Sequence, residues 1–166
     1  MSQLTINNWK TTSLFIAFVT IFIVLIGWLI QGSILPINRS LGYTTQEFQF
    51  IQFWLRLAVV IGIVVPFIGL LLSLGDRQTR KIWGFYLLAI AFQIPTEILF
   101  SRLFFPSIVV IVATLYTAFR LWQLWEGQKF IGANPNKFVK IILQIVLLFW
   151  SANAIVLLTL NWPNLL

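Results

Sequence analysis

Two charged residues stand where a charge is costly. Arg56 and Glu97 both lie within long apolar stretches. An ionised group at the centre of a membrane helix costs about 2.5–3.5 kcal/mol on insertion scales, so such groups pair with one another or face a cavity. Tyr86, Gln93, Glu97 and Ser101 follow at intervals of seven, four and four, a spacing that sets side chains on one helix face. Gln49, Gln52 and Arg56 share a face on an earlier segment. With Trp54, Trp150 and Asn153, these residues suggest a pocket for an amphipathic ligand. Arg56, Glu97, Gln93 and Asn153 would meet its polar groups, and the two indoles would stack on its apolar body. The same Arg56 and Glu97 suit an ion pair that joins two helices, and Glu97 alone suits a proton relay.

Other chemistry is excluded by what the chain lacks. It has no Cys and no His, which removes Ser-His-Asp and Cys-His nucleophiles, thiolate zinc sites and His-ligated haem. Its four acids, Glu47, Asp76, Glu97 and Glu126, are too dispersed in sequence to suggest a hard-metal site. One carboxylate with one arginine is no catalytic constellation, so an enzyme is not expected. The net charge of +7 would suggest nucleic acid in a soluble protein. Here it fits better the Lys and Arg that membrane proteins gather in cytoplasmic loops.

The elements that must position these residues follow from composition. Of 166 residues, 60% are hydrophobic and 9% charged, against about 45–50% and about 25% in a soluble domain. The chain reads as an integral membrane protein in contact with the lipid bilayer. A single span needs about 20 residues; residues 81–125 are therefore two spans, turned at Ser101-Arg102-Leu103-Phe104-Phe105-Pro106. The whole pattern predicts one transmembrane domain over 1–166, an all-α bundle of five helices at about 12–31, 50–74, 82–101, 106–125 and 138–160. The first run is longer than a signal-peptide core and no A-x-A-like site follows it, so it is expected to stay uncleaved. Residues 32–46 form the longest irregular stretch and would roof the pocket; residues 126–137 form a polar loop. Pro66 and Pro95 fall inside spans and are expected to kink them. Small residues at Ser13, Thr20 and Gly27, at Gly62, Gly69 and Ser73, and at Ser107, Thr114 and Ala118 mark ridges for close helix packing.

Charge sets the expected orientation. Five spans place Lys10, Arg77, Arg80, Lys81, Arg120, Lys129, Lys137 and Lys140 on the amino-terminal side, eight of the eleven basic residues. Arg39, Arg56 and Arg102 lie opposite. The positive-inside rule makes the amino terminus cytoplasmic and the carboxyl terminus outside or lumenal. Arg56 and Glu97 then sit at similar depths, within about two turns of the outer surface. Trp9, Trp83, Trp122 and Trp125 would form one interfacial belt, and Trp28, Trp54 and Trp162 the other; Trp150 falls mid-span.

Arg102-Leu103-Phe104-Phe105-Pro106, joining two spans, and Trp150-Ser151-Ala152-Asn153, in the last span, carry a resemblance. With the five-span layout and the longer loop after the first span, they resemble the TspO/MBR (translocator protein, tryptophan-rich sensory protein) family. Paired prolines and a Trp-rich entry to the second span are missing, leaving Phe53-Trp54, and the family's Leu-Asn pair appears out of register as Leu160-Asn161. Where that family has an Asn- and Trp-bearing third helix, this chain has Gln93 and Glu97. The resemblance implies a pocket for porphyrin-like or sterol-like molecules, a tetrapyrrole among them, and a tendency to form a homodimer. Alternatives from the residues alone are an accessory or assembly subunit of a larger membrane complex and a small proton-coupled transporter. A bacterial inner membrane or a thylakoid-type membrane is the expected location.

Overall fold

The computed structural model describes residues 7–130 and 137–166. Five helices in it are long and apolar enough to cross a membrane: α1 (Trp9–Gln31), α2 (Thr45–Leu72), α3 (Arg77–Leu103), α4 (Ile108–Phe130) and α5 (Lys137–Asn161). No strand occurs among the described residues. The protein is an all-α, multi-pass membrane protein. Its outer surface fits that reading: Phe18, Ile21, Trp28, Phe53, Phe67, Leu99 and Leu148 all face outward. Water would not tolerate apolar surface on this scale, whereas lipid contact requires it.

Local chemistry sets the helix ends. The Asn8 side chain accepts from the Thr11 amide at 2.9 Å and opens α1. Thr44 and Glu47 form a reciprocal capping box that opens α2 at Thr45, five residues before the predicted start. Asp76 accepts from the Gln78 and Thr79 amides at 3.0 and 3.4 Å and opens α3 at Arg77 rather than 82. At its far end α4 continues to Phe130, past the expected stop at 125. Gly127 does not break it, because the missing side chain is where Ile82 packs: a Cβ there would lie 2.9 Å from Ile82 Cγ2. The remainder of the expected loop, with Gly132, Asn134 and Pro135, lies outside the described residues, as do residues 1–6 of the amino-terminal lead.

The most buried span is α4, which packs against α1, α3 and α5. Two apolar clusters flank it. One joins Val19 and Ile23 of α1 to Ile108, Val112 and Tyr116 of α4, beside Phe105 of the turn. The other joins Trp83, Tyr86 and Ile90 of α3 to Leu124 of α4 and to Val146 and Trp150 of α5. Glycines admit the large rings. A Cβ on Gly62 would lie 2.8 Å from Trp150 Cζ2, one on Gly69 2.8 Å from Trp83 Cε2, and one on Gly27 2.8 Å from the Phe104 ring. Trp83 is thus a core residue and not part of an interfacial belt; the small groove along α2 draws it inward. Ala118, at the end of the expected ridge on α4, faces out instead.

Helix α2 has two unlike halves. Val60–Val64 is a single π-helical turn followed at once by Pro66, the combination that bends helices. From this turn onward Gly62, Pro66, Gly69 and Ser73 are buried in the bundle. Before it, Thr45–Val59 buries no residue. The upper half stands away from the bundle, and a cavity opens behind it.

Candidate functional site

The cavity holds about 430 Å³, in the range of small-molecule sites. Its walls are mostly aliphatic, from Ile51, Leu55, Ala58, Ile63, Ile90, Val109 and Ala113. Leu41 and Tyr43 close it from the loop between α1 and α2. That loop is tied down: the Asn38 amide donates to Leu165 O at 2.8 Å, Ser107 Oγ donates to Asn38 O at 2.5 Å, and Arg39 Nη2 donates to Gln31 O at 3.1 Å. The Tyr43 hydroxyl donates to Asn161 Oδ1, and burial pushes its phenol above the usual tyrosine value.

Five of the six residues expected from sequence meet at this cavity: Trp54, Gln93, Glu97, Trp150 and Asn153. Trp54 Nε1 donates to Asn153 Oδ1 at 2.8 Å, and Asn153 Nδ2 donates to Thr117 Oγ1 at 3.0 Å. This chain spans three helices and fixes the amide of Asn153. The Trp54 ring also stacks on Phe149 with centroids 5.2 Å apart. Gln93 Nε2 donates to Glu97 Oε1 across one turn of α3.

Arg56 does not join them. It is exposed and does not line the cavity. The reason is angular: Trp54 faces inward, and a residue two positions on is turned by about 200° around the helix. Gln49 and Gln52 are exposed on the same side. The expected Arg56–Glu97 pair is therefore not formed; among the described residues the ion pair within 4 Å is Glu126–Lys129, at 2.7 Å.

The cation of the cavity is Arg120. A fourth span ending at 125 would put it among the basic residues of the membrane surface. In a helix that reaches Phe130, Arg120 lies near the middle, about 18 Å from the Ile108 end. It is 1% exposed, lines the cavity floor, and places its guanidinium carbon 3.9 Å from the centroid of a Trp150 ring. Its Nε and Nη1 are buried without a hydrogen-bond partner among the described residues. A sequence signal did exist: Thr114, Thr117, Arg120 and Gln123 recur every three residues on α4. Removing Arg120 from the surface count still leaves seven basic residues against three.

A second relay holds Trp150 in place. Trp150 Nε1 donates to the Tyr86 hydroxyl at 2.6 Å, and that hydroxyl donates to Gly62 O at 2.8 Å. In α-helical register the Gly62 carbonyl would be met by the amide of residue 66, which as proline has none. Tyr86 satisfies the carbonyl that Pro66 leaves open. Bend, ring and cation are thus connected: α2 through Gly62, α3 through Tyr86, α5 through Trp150 and α4 through Arg120. Comparison with family models, curated proteins and solved structures finds no match for this chain.

Proposed function

We propose that this protein binds an amphipathic ring-bearing small molecule, of the porphyrin or sterol kind, in the cavity between α2, α3, α4 and α5. One observation carries the reading: an apolar chamber of about 430 Å³ has its polar groups, Gln93, Glu97, Thr117, Arg120 and Asn153, gathered within a membrane bundle. Ligand sites have this character, with apolar walls and a few polar groups that fix orientation. Trp54 and Trp150 line the chamber with their rings already packed against Phe149 and the Arg120 guanidinium, so they add apolar wall and not free stacking faces. Leu55 and Val59 of α2 and Ile94 of α3 line the cavity while being 59%, 53% and 44% exposed. The chamber thus opens sideways between α2 and α3, the direction from which a lipid-soluble ligand arrives. With the amino terminus cytoplasmic, the site belongs to the outer half of the membrane. The TspO/MBR resemblance implies a pocket of the same kind, and Trp150 and Asn153, two of the residues that carry it, line this one.

The test is binding to protein in zwitterionic nanodiscs, read as quenching of tryptophan fluorescence by protoporphyrin IX and by a fluorescent sterol. Saturable quenching by either, weakened about tenfold or more by Asn153→Ala and unchanged by Arg56→Ala, is the expected result. Quenching that never saturates, or that responds equally to both substitutions, would remove the cavity as the site.

A further inference from the structure

Resting on that reading, we infer that the ligand carries a carboxylate, bound at the cavity floor by Arg120. Among the cavity's lining residues Arg120 is the one cation and Glu97 the one acid. They differ in depth: Glu97 is six residues from the Leu103 end of α3 and Arg120 twelve from the Ile108 end of α4, which separates them by about 9 Å along the bundle. No carboxylate lies within 4 Å of Arg120 among the described residues. Its guanidinium carbon lies 3.9 Å from the centroid of a Trp150 ring, whose face attracts the cation but accepts no N–H bond from its edge, and Glu97, Tyr86 and Tyr116 act on it through space without a hydrogen bond to Nε or Nη1. Nε and Nη1 stay unmet.

A guanidinium has five donors in a planar fork, and a carboxylate is the acceptor that matches two of them at once. In a lipid-surrounded interior that match is worth more than in water, and an unmet charge costs correspondingly more. A singly charged group also suits the wider balance. Two negative charges, as on a phosphate monoester, would outnumber the cavity's single cation. The aliphatic walls then take the apolar body, with the Trp150 ring 3.9 Å from the guanidinium carbon helping to hold the cation in place. Glu97, toward the Leu103 end of the chamber, supplies no cation for a carboxylate that enters the wrong way round. The bound ligand is therefore oriented acid end inward.

The experiment compares acids with their esters on the intact protein in zwitterionic nanodiscs, by calorimetry. Lithocholic acid and its methyl ester are one pair, oleic acid and methyl oleate the other. The first supplies the carboxylate on a ring system, the second on an acyl chain such as the bilayer itself contains. The expected result is that the acid of at least one pair binds about tenfold or more tightly than its ester, and that Arg120→Gln abolishes the preference. Arg120→Lys should restore part of it. Equal binding of acid and ester in both pairs, with Asn153→Ala still weakening both, overturns the carboxylate and keeps the cavity. A preference that survives Arg120→Gln also overturns it. No saturable binding of any of the four removes the cavity reading and this inference with it. The wild-type comparison of acid with ester decides the matter even if Arg120→Gln does not fold.

Discussion

Replacing Tyr86 with Phe removes one oxygen and leaves the ring, which packs edge-on to Trp83 with centroids 6.1 Å apart. The lost hydroxyl serves two buried groups: it donates to Gly62 O at 2.8 Å and accepts from Trp150 Nε1 at 2.6 Å. Hydrogen bonds within membrane bundles average about 0.6 kcal/mol in double-mutant cycles and reach about 1.7. Two of them, both buried, set the expected cost at about 1–3 kcal/mol, in line with the penalty for unmet buried polar groups. Reversible unfolding in mixed micelles with increasing SDS would measure it. The decisive comparison is the same substitution in a Pro66→Ala background. An amide at 66 supplies a donor one turn from the Gly62 carbonyl, so Tyr86→Phe should cost less there, with a coupling of about 0.5–1.5 kcal/mol. Strict additivity, within about 0.3 kcal/mol, would refute the argument that Tyr86 exists to answer the proline.

Four further outcomes are expected. Asp76→Ala should cost about 1 kcal/mol at neutral pH by uncapping α3. The Thr79 hydroxyl, with the Gln78 and Thr79 amides, holds the Asp76 carboxyl below the usual carboxylate range. Its contribution is therefore fully present above about pH 4 and is lost as the pH falls through the lowered value. Wild type and variant should converge in acid, and SDS unfolding across pH would show a divergence if the sign were wrong. Gly69→Ala, whose Cβ would lie 2.8 Å from Trp83 Cε2, should destabilise by about 1–3 kcal/mol. Gly84→Ala, with nothing within 4 Å of the new Cβ, should stabilise by about 0.5–1 kcal/mol in the same assay. In this cysteine-free chain, an impermeant thiol reagent applied outside intact cells should label a single cysteine at position 38 and spare one at 78. The reverse pattern would invert the proposed orientation.

Helix number and most of the cavity could be read from the chain because both depend on short-range pattern. Apolar length counts spans, and intervals of four and seven put Gln93 and Glu97 on the face that Tyr86 also occupies. Arg56 and Arg120 show where pattern stops. Each is a lone arginine in apolar surroundings, and only the rotation and the true length of its helix decide whether it faces lipid or the interior. For Arg56 the inward direction is set by Trp54, two residues away, through its bond to Asn153, a contact 99 residues distant in sequence. For Arg120 depth depends on whether Gly127 ends α4. It does not, because Ile82 of another helix fills the space. Trp83 was misplaced for a similar reason: interfacial position and burial beneath a partner's glycine look alike in one dimension.

The Gly62–Tyr86–Trp150 relay limits how this chain can diverge. A hydroxyl has a single proton, and Tyr86 gives its proton to Gly62, so its only remaining role toward Trp150 is to accept. Each position is answerable to the next: proline at 66 creates the need for a donor, the phenol at 86 meets it and then needs an N–H, and the indole at 150 supplies that while requiring glycine at 62 for room. In a homologue whose residue 66 is not proline, the backbone could reclaim its own carbonyl, and selection on the phenol and on the indole nitrogen would relax together. Positions 62, 66, 86 and 150 should accordingly change as a group across descendants of this chain, while Arg56 drifts independently of them.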